Sequence, residues 1–95
     1  MENTKIENSL KVIEDLLKTE KAEQAKNLFE ELEEQDSVRY FLLKGNIEQK
    51  YQNWGEAINA FNRVLDIDPQ NTEAANNLHL IKNILNFWNP DLLNP

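Results

Sequence analysis

Apolar residues along this chain return every three or four positions, and that spacing predicts five helices. The first carries the stripe Ile6, Leu10, Ile13, Leu16 and Leu17. It is expected to open at Thr4, where Thr4 and Glu7 have the Thr-x-x-Glu spacing of a capping box. After a break near residues 19–21, a second helix sets Ala22, Ala25, Phe29 and Leu32 on one face. A short joint over 35–38 leads to a third, running to about Tyr51, with Tyr40, Leu43, Ile47 and Tyr51 as its stripe. Asn53 is placed to cap the fourth, with Glu56 completing a second box. The buried face of that helix is Ala57, Ile58, Phe61, Val64 and Leu65. Asp68-Pro69 ends it, because the residue before proline is pushed out of helical dihedrals. Asn71 or Thr72 opens the fifth. Joints this short make neighbouring helices antiparallel, so the chain reads as a row of helical hairpins. No alternating apolar run bounded by glycine turns competes as a strand.

A longer period lies on top of the helical one. Ala25-x3-Phe29 recurs as Ala57-x3-Phe61, and both residues shift by the same 32 positions (57 − 25 and 61 − 29). The register also pairs Leu32 with Val64, Asp36 with Asp68 and Ser37 with Pro69. A fixed period in this range marks stacked supersecondary units, each burying its apolar face against the next.

Composition narrows the function classes. Ninety-five residues allow one domain with a modest core. With no cysteine there is no disulfide framework, thiolate metal site or cysteine nucleophile. Apolar runs are only a few residues long, so no membrane span is expected, and Lys5 is not followed by the apolar stretch of a secretory signal. A cytoplasmic location is the expectation. The net charge of −7 is concentrated early: residues 1–37 hold eleven acidic against five basic side chains. Such a surface repels phosphate backbones, which argues against nucleic-acid binding. The run Glu30, Glu31, Glu33, Glu34 and Asp36 reads first as a solvated face, and second as a lure for a basic partner.

Residues 38–71 resemble a full tetratricopeptide repeat. The family pattern Trp-x2-Leu-Gly-x2-Tyr, then Ala-x3-Phe, then Pro is met by Phe41 in the tryptophan place, Gly45, Ala57, Phe61 and Pro69. Trp54, Leu65 and Asp68 also fit. Gly45 and Ala57 are small where the two helices of a hairpin must cross closely, and Phe61 fills the space towards the next helix. Two positions depart: Lys44 stands where leucine is usual and Glu48 where tyrosine is usual, with Leu43, Ile47 and Tyr51 expected to restore the apolar volume. Residues 6–37 resemble a degenerate repeat, keeping Ala25 and Phe29 but with Ser37 in the proline place. Residues 72–87 resemble the capping helix of such arrays. The segment Asn86-Phe87-Trp88-Asn89 is similar to the close of small stand-alone proteins of this family. The resemblance implies an all-α superhelix of two hairpins plus a C-terminal capping helix, with residues 88–95 as a tail.

Chemistry finds little support. His79 is the single histidine and sits between Leu78 and Leu80, so a metal site or a His-based relay lacks partners. The carboxylates fall on amphipathic, solvated faces, with no phosphate-binding glycine loop. No enzyme activity, cofactor or metal is expected.

The fifth helix carries more apolar surface than a cap needs. Ala74, Leu78, Ile81, Leu85 and Trp88 form the packing stripe, Asn76, His79, Asn83 and Asn86 a polar arc, and Leu80, Ile84 and Phe87 a second apolar row. A terminal helix should show water a polar face. The second row therefore calls for a cover: the tail with Leu92 and Leu93, a second copy as a symmetric dimer, or a foreign segment. In the family, ligands usually line the inner face built from the first helix of each hairpin. Position by position, the resemblance implies Arg39, Leu42, Asn46 and Lys50 on the third helix and Asn76, Leu80, Asn83 and Ile84 on the fifth, with Phe87 added from the end face. Asn46 matches an asparagine of members that clamp C-terminal carboxylates, but the basic residues those members need are replaced here by Glu73, Asn76, Asn77 and Leu80. The expected function is a non-catalytic interaction module binding a protein or peptide segment. The alternative is self-association into a homodimer, since two hairpins fall short of the ~3 repeats a stable array needs.

Overall fold

The computed structural model describes residues 2–88, and the side chains of 4–87. The tail after Trp88 and the Trp88 side chain, named above as parts of the C-terminal cover and stripe, lie outside the described residues. The described chain is all helical: α1 (Glu2–Lys18), α2 (Ala22–Glu30), α3 (Val38–Lys50), α4 (Trp54–Ile67) and α5 (Thr72–Trp88). The main packings join α1 to α2, α3 to α4 and α4 to α5, and both helices of the first hairpin lean on α3. Among the described residues no helix is long and apolar enough to cross a membrane.

Two starts differ from expectation. α1 begins at Glu2, so Thr4 and Glu7 lie inside the helix rather than forming its cap. An acidic residue suits that position, since the helix dipole is positive there. Asn53 does precede α4, but its side chain makes no capping bond. Its backbone, at φ −83° and ψ 75°, lies outside the extended region that a capping residue usually takes. Ser37 does cap α3, its Oγ accepting from Tyr40 N–H at 3.2 Å. Asn71 does the same for α5, its Oδ1 accepting from Ala74 N–H at 2.9 Å. α4 stops at Ile67, directly ahead of Asp68-Pro69.

The two hairpin turns are copies of each other. In the second, Gln52 takes a left-handed φ of 60°, Asn53 N–H reaches Glu48 O at 2.9 Å and Gln52 N–H reaches Gln49 O at 3.0 Å. In the first, Glu20 has φ 63°, Lys21 N–H reaches Leu16 O at 2.8 Å and Glu20 N–H reaches Leu17 O at 3.3 Å. Each set is a Schellman closure, with its 6→1 and 5→2 bonds satisfying carbonyls left orphaned at the helix end. Every member is displaced from its counterpart by the same 32 residues as the Ala-x3-Phe motif. The repeat is therefore present in backbone geometry as well as in side chains.

One core runs through all five helices: Leu10 and Ile13, Ala25 and Phe29, Tyr40, Phe41, Leu43 and Ile47, Ala57, Phe61 and Val64, then Ala74, Leu78 and Ile81. Each large side chain buried here stabilises the fold by roughly 1.5–3 kcal/mol. Gly45 and Phe61 set the closest approach of α3 and α4. A Cβ on Gly45 would stand 2.6–2.8 Å from three carbons of the fully buried Phe61 ring. The hairpins are joined by Phe29 stacked on Tyr40 at 4.7 Å, with Phe41 edge-on to Tyr40 at 5.2 Å. Burial pushes the Tyr40 hydroxyl pKa up, and the nearby Glu34 charge adds to it.

Tyr51 corrects the expected α3 stripe. It falls past the last helical residue and is 40% exposed, with the Lys26 ammonium 4.5 Å from its ring centre. Glu48, in the place usually held by tyrosine, instead pairs with Lys26 at 3.5 Å across the hairpin junction. Leu43 and Ile47 do enter the core.

Candidate functional site

The hairpin turns leave a hollow on the side where α1, α3 and the start of α5 face one another. It encloses about 820 Å³. Leu17 of α1, Leu42 and Leu43 of α3 and Trp54 at the start of α4 supply its apolar lining. Polar groups rim it: Glu14 and Lys18 from α1, Arg39, Asn46, Gln49 and Lys50 from α3, and Glu73 and Asn77 from α5. Arg39, Leu42, Asn46, Gln49 and Lys50 recur at three- and four-residue spacing and so share one face of α3, with Leu43 at its inner edge also in the core.

Two rim contacts hold neighbouring helices in place. Arg39 grips Glu14 with Nε and Nη2, at 2.9 and 3.0 Å, and its Nη1 also donates to Glu7. The fork geometry of a guanidinium on a carboxylate makes this a directional tie between α1 and α3. The Arg39 bond holds the Glu14 carboxyl below the usual carboxylate range against the opposing effect of its partial burial, and the two carboxylates hold Arg39 protonated still more firmly. On the far wall, Asn46 Nδ2 donates to Glu73 Oε2 at 3.2 Å, tying α3 to α5.

Of the nine candidate residues, Arg39, Leu42, Asn46 and Lys50 line this hollow together. Asn76, Leu80, Asn83, Ile84 and Phe87 do not line it. α5 presents Glu73 and Asn77 instead, near its start, while Leu80 and Ile84 continue the same helical face further along, beyond the lining. Leu80 is 48% and Phe87 79% exposed, Ile84 is half-buried, and Asn76 and Asn83 are exposed. Glu14, Leu17 and Lys18 join the site from α1, which the apolar spacing marks only as a core helix. Leu17 ends the stripe of Leu10 and Ile13, and Glu14 and Lys18, four and eight residues after Leu10, flank that stripe on one side. Trp54, which fits the repeat pattern, lines the hollow while packing against the core.

A smaller cavity of about 280 Å³ lies between α2 and α3, with Phe29, Tyr40 and the Lys26–Glu48 pair in its wall. Among the described residues, no three or more His, Cys, Asp or Glu side chains gather as a metal site requires.

Comparison with protein-family models, with curated proteins and with solved structures finds no match to this chain.

Proposed function

We propose that this chain is a non-catalytic interaction module, a short tetratricopeptide-like array of two hairpins and a capping helix. A partner's peptide segment would lie in the α1/α3/α5 hollow. The observation that carries this reading is the joint one: hairpin turns repeated in backbone geometry at 32 residues, and a hollow lined by the first helix of each unit. Repetition of a supersecondary unit is how solenoid proteins build extended concave faces. The lining is mixed, with apolar anchors set among amide and charged groups, as a peptide-binding groove requires. Arg39 and Asn46 act here chiefly as wall ties, and Leu17, Leu42 and Trp54 supply the anchoring surface.

Peptides selected from a displayed random library against the folded protein test this. Binding that is lost in Leu42→Asp but kept in Leu80→Asp supports the hollow; the reverse pattern rejects it.

A second reading rests on α5, where Leu80 is about half exposed beside half-buried Ile84. Self-association through that face would cover them. Sedimentation velocity over a concentration series distinguishes the two: a dimer abolished by Leu80→Asp favours self-association, and a monomer at high micromolar concentration removes it.

A further inference from the structure

The charges of the hollow are not equivalent, and their difference specifies a partner. Glu14 is already held by Arg39, and Arg39 by Glu14 and Glu7. Glu73 accepts a bond from Asn46. Lys18 and Lys50 remain, exposed and in no ion pair closer than 4 Å among the described residues, the Lys18 charge acting on Glu14 only through space. They occupy the same place in the repeat, 32 positions apart, in the last turns of α1 and α3. At both helix ends the Schellman bonds from Lys21 and Asn53 already occupy a carbonyl, that of Leu16 and that of Glu48. In a chain of net charge −7, one end of the hollow thus offers two available cations beside Leu17 and Trp54.

Resting on the groove reading above, we infer that the hollow takes an acidic segment with an apolar anchor, its carboxylates directed at Lys18 and Lys50. Packed helix axes lie ~10 Å apart, and an extended strand advances ~3.3 Å per residue. Two carboxylates four residues apart share one face of such a strand and, with the reach of the lysine side chains, meet both, with a leucine midway between them on the same face over the apolar lining. Glu73 fixes the direction of docking. Asn46, its partner, lies four residues before Lys50, so the carboxylates of the segment settle about 6 Å further along α3, away from that wall.

The probe is acetyl-Ser-Glu-Ser-Leu-Ser-Glu-Ser-amide, with counterparts carrying glutamine or lysine in place of both glutamates. Titration is followed by NMR at the Trp54 indole N–H. The acidic peptide is expected to bind at least tenfold more tightly than the glutamine peptide, and the lysine peptide more weakly still. In Lys18→Gln/Lys50→Gln the acidic and glutamine peptides should become equal, with the free protein's spectrum otherwise preserved. Equal binding of all three peptides, lost in Leu42→Asp, overturns the acidic preference and leaves the groove standing. Stronger binding of the lysine peptide also overturns it. No response to any of them contradicts the groove as well.

Discussion

Gly45→Ala separates packing from helix propensity by its sign. In an exposed helix interior this change stabilises by about 0.8–1 kcal/mol. At position 45 the new methyl would meet three Phe61 ring carbons at 2.6–2.8 Å, where ordinary carbon contacts sit near 3.5–4 Å. The ring or the helix must yield by roughly 1 Å, and Phe61 is fully buried with its ring already in contact. Overpacking a filled core costs about 1–3 kcal/mol. With the propensity gain set against the upper part of that range, the net loss is about 1–2 kcal/mol. Urea unfolding followed by circular dichroism reads this as a midpoint lowered by about 1–2 M, for a slope near 1 kcal/mol per molar. In a Phe61→Leu background, where the ring edge is gone, the same change should cost less or turn favourable. Gly55→Ala is the control: a methyl there would meet nothing within 4 Å, and a gain of about 0.5–1 kcal/mol is expected. Gly45→Ala as stable as the parent, or more so, would refute the close crossing.

Gln52→Gly should stabilise by about 0.5–1 kcal/mol, since a side chain in the left-handed region is strained and glycine is not; thermal unfolding checks this, and a loss would mean the Gln52 side chain contributes more than its strain costs. Glu14→Gln should cost about 0.5–1 kcal/mol at pH 7, the range for a partly exposed pair. Because the folded state depresses the Glu14 pKa, that contribution is present above the ordinary carboxylate range and is lost as pH falls through the lowered value. Unfolding curves of parent and variant should therefore converge once the pH falls below the lowered Glu14 value; a pH-independent gap would assign the effect to packing.

Much of the fold is legible because it is written in local chemistry. Apolar spacing locates all five helices, Asp68-Pro69 ends α4, and Gly45 and Ala57 mark the close crossing. The turns are harder to read, since glycine is the usual sign of a Schellman closure and Glu20 and Gln52 stand in its place. The start of α1 misleads because a Thr-x-x-Glu spacing occurs as readily inside a helix as at its end. Half of the candidate site follows from the inner-face register of α3. The rest depends on the extent of the hollow and on distant partners: Arg39 meets Glu7 and Glu14 from 32 and 25 residues away, a pairing no local pattern encodes. Along α5 the hollow reaches only the first turns, so Glu73 and Asn77 contribute to it while Leu80 and Ile84, on the same face further along, do not.

Whether the helices form an open row decides whether there is a hollow to fill. The chain has no native cysteine, so Asp15→Cys and Lys82→Cys, both exposed, place spin labels on α1 and α5 alone. In an open row α3 stands between those helices, their axes are two packing distances or ~20 Å apart, and dipolar spectroscopy should show a resolved separation beyond that distance. Strong short-range broadening, from axes only ~10 Å apart, would mean that α1 and α5 close directly on each other and that no groove exists.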